Sequence, residues 1–191
     1  MPDPDVVADI KVVYQDPFHF KNLYKLIFRF LLDHGYLDKK VSPDTKMEIL
    51  YSEQVRSGDV KEYHIWWRTK KQPKNSYFLY KIDIDYLGLG VKNTEVLQGD
   101  KKHKMQIGEI TILLKGTLML EANDSKGKWE TGFLRYFRNW FRNKWYHAKI
   151  EQHEDELYED VYKLQSFIKE YLELKQFGVS PEIFFKRKGF E

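Results

Sequence analysis

The residues best suited to bind a partner lie in two short runs. From Phe133 to Ile150 the chain reads FLRYFRNWFRNKWYHAKI, with five basic residues and no acidic one. At about 100° per residue, Phe133, Tyr136, Phe137, Trp140, Phe141, Trp145 and Ala148 fall on one side of a helix, and Arg135, Arg138, Arg142 and Lys149 on the other. Such a face packs on a core, or lies at an anionic membrane or partner with its arginines against the charge. The second run, KEYHIWWRTKKQPKNSYFLYK from Lys61 to Lys81, holds six Lys or Arg and one acid. Strand alternation sets Trp66 beside Glu62, His64 and Arg68, opposite Tyr63, Ile65 and Trp67. Rings interleaved with cations suit single-stranded nucleic acid, where bases stack and phosphates follow the charge. The same lysines also serve solubility and edge protection at a hairpin tip. The expected binding positions are therefore Arg135, Arg138, Trp140, Arg142 and Trp145 on the helix, with Trp66, Arg68, Lys70 and Lys71 on the hairpin.

Acid, base and metal chemistry is thinner. Asp83 and Asp85 share one strand face about 7 Å apart, and His64 with Glu62 would join them if the two strands were neighbours. Charges on the outer face of an antiparallel strand are ordinarily just solvated. His147, Glu151 and Glu154 fall on one helical face, but no matching ligand set accompanies them. Gly88-Leu89-Gly90 lacks the third glycine and the following helix of a dinucleotide site, and no Gly-Lys-Ser/Thr is present. No serine or threonine carries the glycines of a nucleophile elbow. The reading is non-enzymatic, with no catalytic residue, metal or cofactor expected.

Composition sets the frame. A chain of 191 residues suits one well-buried domain, and 42% hydrophobic with 16% aromatic content makes large flat side chains important in its packing. The absence of cysteine removes disulfides, thiolate zinc sites and a cysteine nucleophile, and fits a reducing compartment. No run approaches the roughly 18 apolar residues that span a bilayer. MPDPDVVADIKVV has no basic start followed by an apolar stretch, so a cytoplasmic location is expected. A net charge of +3 is too small to point to nucleic acid by itself. The distribution is uneven, since Glu151, Glu154, Asp155, Glu156, Glu159 and Asp160 follow directly on the basic run. Basic and acidic segments side by side can pair with their copies in antiparallel fashion, which makes self-association plausible. Asn123-Asp124-Ser125 matches a glycosylation acceptor, expected to stay bare without a secretory route.

The elements that must position these residues follow from periodicity. Val6 to Tyr14 reads as a strand with Ala8, Ile10, Val12 and Tyr14 on one side. Asp16-Pro17 reads as the start of a helix over 17–34, apolar almost all round, with His34-Gly35 as its exit. The period then becomes two. Met47, Ile49, Tyr51 and Val55 alternate with polar neighbours, Ser57-Gly58-Asp59 turns the chain, and Tyr63, Ile65 and Trp67 complete a hairpin. Pro73-Lys74-Asn75 makes the next turn, into a strand with Phe78, Tyr80, Ile82, Ile84 and Tyr86 on one face. Gly88-Leu89-Gly90 separates it from a short strand over 91–97, and a long strand follows with bulges expected at Gly108 and Gly116. Residues 131–174 have helical periodicity as one helix, or two broken near Glu151, with Leu157, Val161, Leu164, Ile168 and Tyr171 as a stripe.

The sum is an α+β unit without repeats: an antiparallel meander of about five strands, an N-terminal helix, and a long C-terminal helical segment packed on it. Residues 6–130 form the strand, helix and meander, 131–177 the helical segment and 178–191 a short tail. This order resembles, in topology, the helix-grip folds that wrap a curved antiparallel sheet around a terminal helix and sometimes hold an apolar ligand. The expected function is a non-enzymatic interaction or assembly module, with a protein partner or a second copy of itself. The alternatives are single-stranded nucleic acid, a peripheral anionic membrane surface, and an apolar pocket between sheet and helix.

Overall fold

The computed structural model describes residues 5–37, 47–73, 78–98, 101–120 and 147–173. The elements are β1 (Asp5–Tyr14), α1 (Phe20–Asp33), β2 (Glu48–Arg56), β3 (Val60–Lys71), β4 (Phe78–Gln98), β5 (Lys101–Leu120) and α2 (His147–Glu173). The strands form one antiparallel sheet in the order β1-β5-β4-β3-β2. The fold is therefore α+β, as the alternating pattern predicts. Strands β2 to β5 are sequential hairpins, and β1 joins the far edge by pairing with β5.

One face of the sheet is interior. Ile65 and Trp67 of β3, Tyr80, Ile82, Ile84 and Tyr86 of β4, and Ile110, Ile112 and Leu114 of β5 are buried there. Every second side chain of a strand points the same way, so these runs bury one continuous surface, at roughly 1.5–3 kcal/mol for each large apolar side chain removed from water. Both helices cover it. Leu157, Val161, Leu164, Ile168 and Leu172 of α2 are fully buried, while Tyr171 is only partly so. Together with Leu23, Ile27 and Leu31 of α1 they join a single hydrophobic cluster. The stripe on α2 thus serves helix-on-sheet packing. α2 also runs unbroken through Glu151, so the break considered there is absent; residues 131–146 lie outside the described residues.

Long-range pairing explains where local signals and structure diverge. α1 starts at Phe20, not at Pro17, with His19 as an N-cap that makes no side-chain cap bond. The reason is Phe18, whose N–H and C=O both pair with Gln106 of β5 at 2.8 Å and hold it extended. The helix ends as expected. Gly35 takes φ +77°, Tyr36 N–H donates to Leu31 C=O and Gly35 N–H to Leu32 C=O, which satisfies the last carbonyls.

β4 is one strand of 21 residues, not two. Gly90 and Val91 form a bulge opposite Gly108, where a Cβ would come within 2.7 Å of the Val91 backbone. Gly116 serves helix approach: a Cβ there would lie 2.9 Å from Val161 Cγ2, and the nearby register shift belongs to β1, between Val6 and Ala8. In β2 a second shift, between Glu48 and Leu50, turns Ile49 outward. Ile49, Tyr51 and Val55 are 65%, 49% and 61% exposed, because β2 is an edge strand lying beyond the helices.

Candidate functional site

Beyond Val91, β4 has lost its β3 neighbour and continues with β5 as a two-stranded ribbon. That ribbon, the β2–β3 hairpin and the start of α1 enclose an open groove of about 900 Å³. His19, Phe20, Lys21 and Tyr24 line it from α1, Tyr51, Glu53, Lys61 and Tyr63 from the hairpin, and Asn93, Thr94, Glu95, Lys104, Met105 and Gln106 from the ribbon. Phe20 stacks on Tyr63 with ring centroids 4.7 Å apart, giving the groove an aromatic base. Gln106 fixes the helix start against the ribbon: its side-chain oxygen accepts from Phe20 N–H at 3.3 Å, beside the Phe18 backbone pair.

Ionisable groups of the groove pair with one another. Lys61 Nζ donates to Glu53 at 2.8 Å, and Tyr51 Oη donates to the same carboxylate at 3.3 Å. Burial, and then the Glu53 charge, push the Tyr51 phenol up to about 12. Burial also raises Tyr63. Phenols raised in this way stay protonated at neutral pH, where they donate hydrogen bonds and offer ring faces. Neutral amides and a hydroxyl from Asn93, Gln106 and Thr94 complete a surface suited to a flat, partly polar group.

Among the positions expected from sequence, Trp66 lies on the outer sheet face and stays 43% exposed. Arg68 lies over its ring, 5.9 Å from the centroid. The Arg68 guanidinium is itself held by Asp85 through Nη1 and by Asp83 at 3.8 Å. Burial raises the Asp83 carboxyl, while the Arg68 charge pulls it down. The acid and base cluster considered for Asp83, Asp85, His64 and Glu62 therefore does not form: the aspartates gather on Arg68, Glu62 pairs with Arg56 at 2.7 Å, and His64 stands opposite Leu87. Lys71 is bound to Asp160 of α2 at 2.8 Å, and exposed Lys70 stands opposite Lys81. Arg135, Arg138, Trp140, Arg142 and Trp145 lie outside the described residues. Among the described residues no group of three or more His, Asp or Glu is placed to hold a metal ion. No described helix is long and apolar enough to cross a membrane.

A polar clamp between α2 and the sheet escaped the sequence reading. Tyr80 Oη lies 2.6 Å from His153 Nδ1 and 2.7 Å from Glu156 Oε2. One hydroxyl proton satisfies this chain when Nδ1–H donates to Tyr80 and Tyr80 donates to Glu156. The Tyr80 bond is the largest influence lowering the Glu156 carboxyl, and burial followed by Glu156 raises the Tyr80 phenol. One turn further, Asp160 accepts from Tyr36 Oη at 2.8 Å and from Lys71. The available signal was His153, Glu156 and Asp160 stepping by three and four along the flank of the buried stripe.

Compared with protein-family models, curated proteins and solved structures, the chain matches none.

Proposed function

We propose that the protein is a non-enzymatic interaction module whose principal binding site is the groove at the start of α1. The carrying observation is the meeting there of Phe20, Tyr24, Tyr51 and Tyr63 with the neutral hydrogen-bonding groups of Asn93, Thr94 and Gln106. Such a mixture fits a segment of a protein partner that inserts an aromatic or long aliphatic side chain and presents its backbone amides to the rim. Lys21, Lys104 and Glu95 at the rim give both signs of charge, which suits a peptide better than a uniformly anionic polymer.

The test is chemical-shift mapping with short peptides carrying a central Trp, Tyr or Leu. Shifts gathered on Asn93, Thr94 and Met105, and abolished by Tyr63→Ala, support the reading. Shifts scattered over the surface, or none at millimolar peptide, remove it.

A second reading rests on exposed Trp66 with Lys70 and Lys81 on the outer sheet face. It would place single-stranded nucleic acid or an anionic surface there, extended by Arg135, Arg138, Trp140, Arg142 and Trp145. Arg68 already serves Asp83 and Asp85, and Lys71 lies on the helix side bound to Asp160, which leaves this face less charge for phosphate. Oligonucleotide affinity falling steeply with salt and lost in Lys70→Glu would favour this reading over the groove.

A further inference from the structure

We propose that the free edge of β2 pairs antiparallel with the same edge of a second copy of the chain, about a two-fold axis at Glu53. The sheet ends on β2, so among the described strands its outer edge has no backbone partner. Natural edges of this kind are guarded by proline, lysine, bulges or inward charge. The stretch Leu50–Arg56 has no proline and no lysine, and it pairs with β3 without a register shift. Its one charge on the helix-facing side, Glu53, is already neutralised by Lys61 at 2.8 Å. The opposite edge is better protected. β1 carries Lys11 and a bulge at Val7, and α2 lies over it, with Tyr14 Oη bonded to Leu172 C=O at 3.2 Å.

Symmetry supplies the occupant. With Glu53 at the centre, Tyr51 of each copy stands opposite Val55 of the other, and these exposed apolar side chains point to the same side as the buried face of the sheet. Ser52 meets Gln54 of the second copy on the outer side, a polar pair on a polar face. The two central carboxylates each bring a Lys61, and each already accepts from Tyr51, so the centre is balanced in charge. A seven-residue edge is a small contact, and the dimer is therefore reversible, dissociating on dilution. The groove reading stands or falls separately, because peptide shifts at Asn93 and Met105 report the groove whereas mass and cross-linking report the edge.

The absence of native cysteine makes the test direct. Two copies of position 52 lie about 8 Å apart across the axis, while two copies of position 57 lie more than about 20 Å apart. A short bismaleimide is expected to give a covalent dimer with Ser52→Cys and none with Ser57→Cys. Light scattering on the unmodified chain is expected to show mass rising from monomer towards dimer between low and high micromolar concentration. The double variant Tyr51→Lys, Val55→Lys replaces exposed side chains, so it should keep its circular dichroism and stay monomeric. A constant monomer mass, equal cross-linking at both positions, or a dimer that survives the double lysine variant overturns the proposal.

Discussion

Tyr80 shows how one hydroxyl can tie two side chains of a helix to the sheet. It stands between His153 and Glu156, and the Glu156 carboxyl is lowered chiefly by its bond. A carboxyl depressed in the folded state contributes stability at pH values above its unfolded range, and loses that contribution as pH falls through its folded value. Tyr80→Phe should therefore lower stability at pH 7 by about 1 kcal/mol, with a smaller loss near pH 3. Thermal melts of both proteins across that range check it, and a gap independent of pH would mean that Glu156 is not coupled to the phenol. Glu48 presents a sharper case. Its carboxylate accepts from Trp67 Nε1 at 3.1 Å and from Tyr24 Oη, and Trp67 is fully buried. Glu48→Ala leaves the indole donor without that acceptor and should cost about 1–3 kcal/mol, read as a fall in the urea midpoint.

At the level of elements, α2 packs tightly on β5 at Gly116, where a Cβ would lie 2.9 Å from Val161 Cγ2. Gly116→Ala should destabilise by about 1–3 kcal/mol through overpacking against Val161. In Gly116→Ala with Val161→Ala the added methyl group takes up part of the space left by the two that are removed, so the double variant should lose less than the two single losses combined. Additive losses would show that the helix does not rest on this glycine. Elements were legible wherever their cause was local. His34-Gly35 ends α1, Ser57-Gly58-Asp59 turns β2 into β3 with Gly58 and Asp59 at positive φ, and alternation marks the strands of the antiparallel sheet, although it divides β4 in two. The start of α1 was not legible, because the Phe18 pairing that displaces it comes from Gln106, far along the chain. The groove was hidden for the same reason: its walls come from three separated segments, and only the β4 bulge marks where β3 leaves the ribbon. Trp66 could be read, since strand alternation alone decides which side a residue faces.

For the molecule as a whole, the interior is unusually phenolic. Tyr36, Tyr80 and Tyr86 are buried and all are raised above the ordinary tyrosine value, burial being the first cause in each. A group raised in the folded state contributes stability that is full below its unfolded pKa of about 10 and is lost as pH climbs towards the folded value. The urea midpoint should therefore fall between pH 9 and pH 11.5, and absorbance at 295 nm should show fewer than the 13 tyrosines ionising before the fold is lost. Complete ionisation near pH 10 with the fold intact would contradict this interior. Ile82 tests the sheet orientation more bluntly. It is completely buried at the centre of β4, and Ile82→Asp should abolish the cooperative melt by burying an unpaired charge. The pairing of β1 with β5 sets an order of events as well. During synthesis β1 emerges well before β5, the strand it pairs with, so this pairing forms only after the later strand has been made. Pairing across so long a stretch of sequence carries a high loop-closure cost, which favours late formation of this seam.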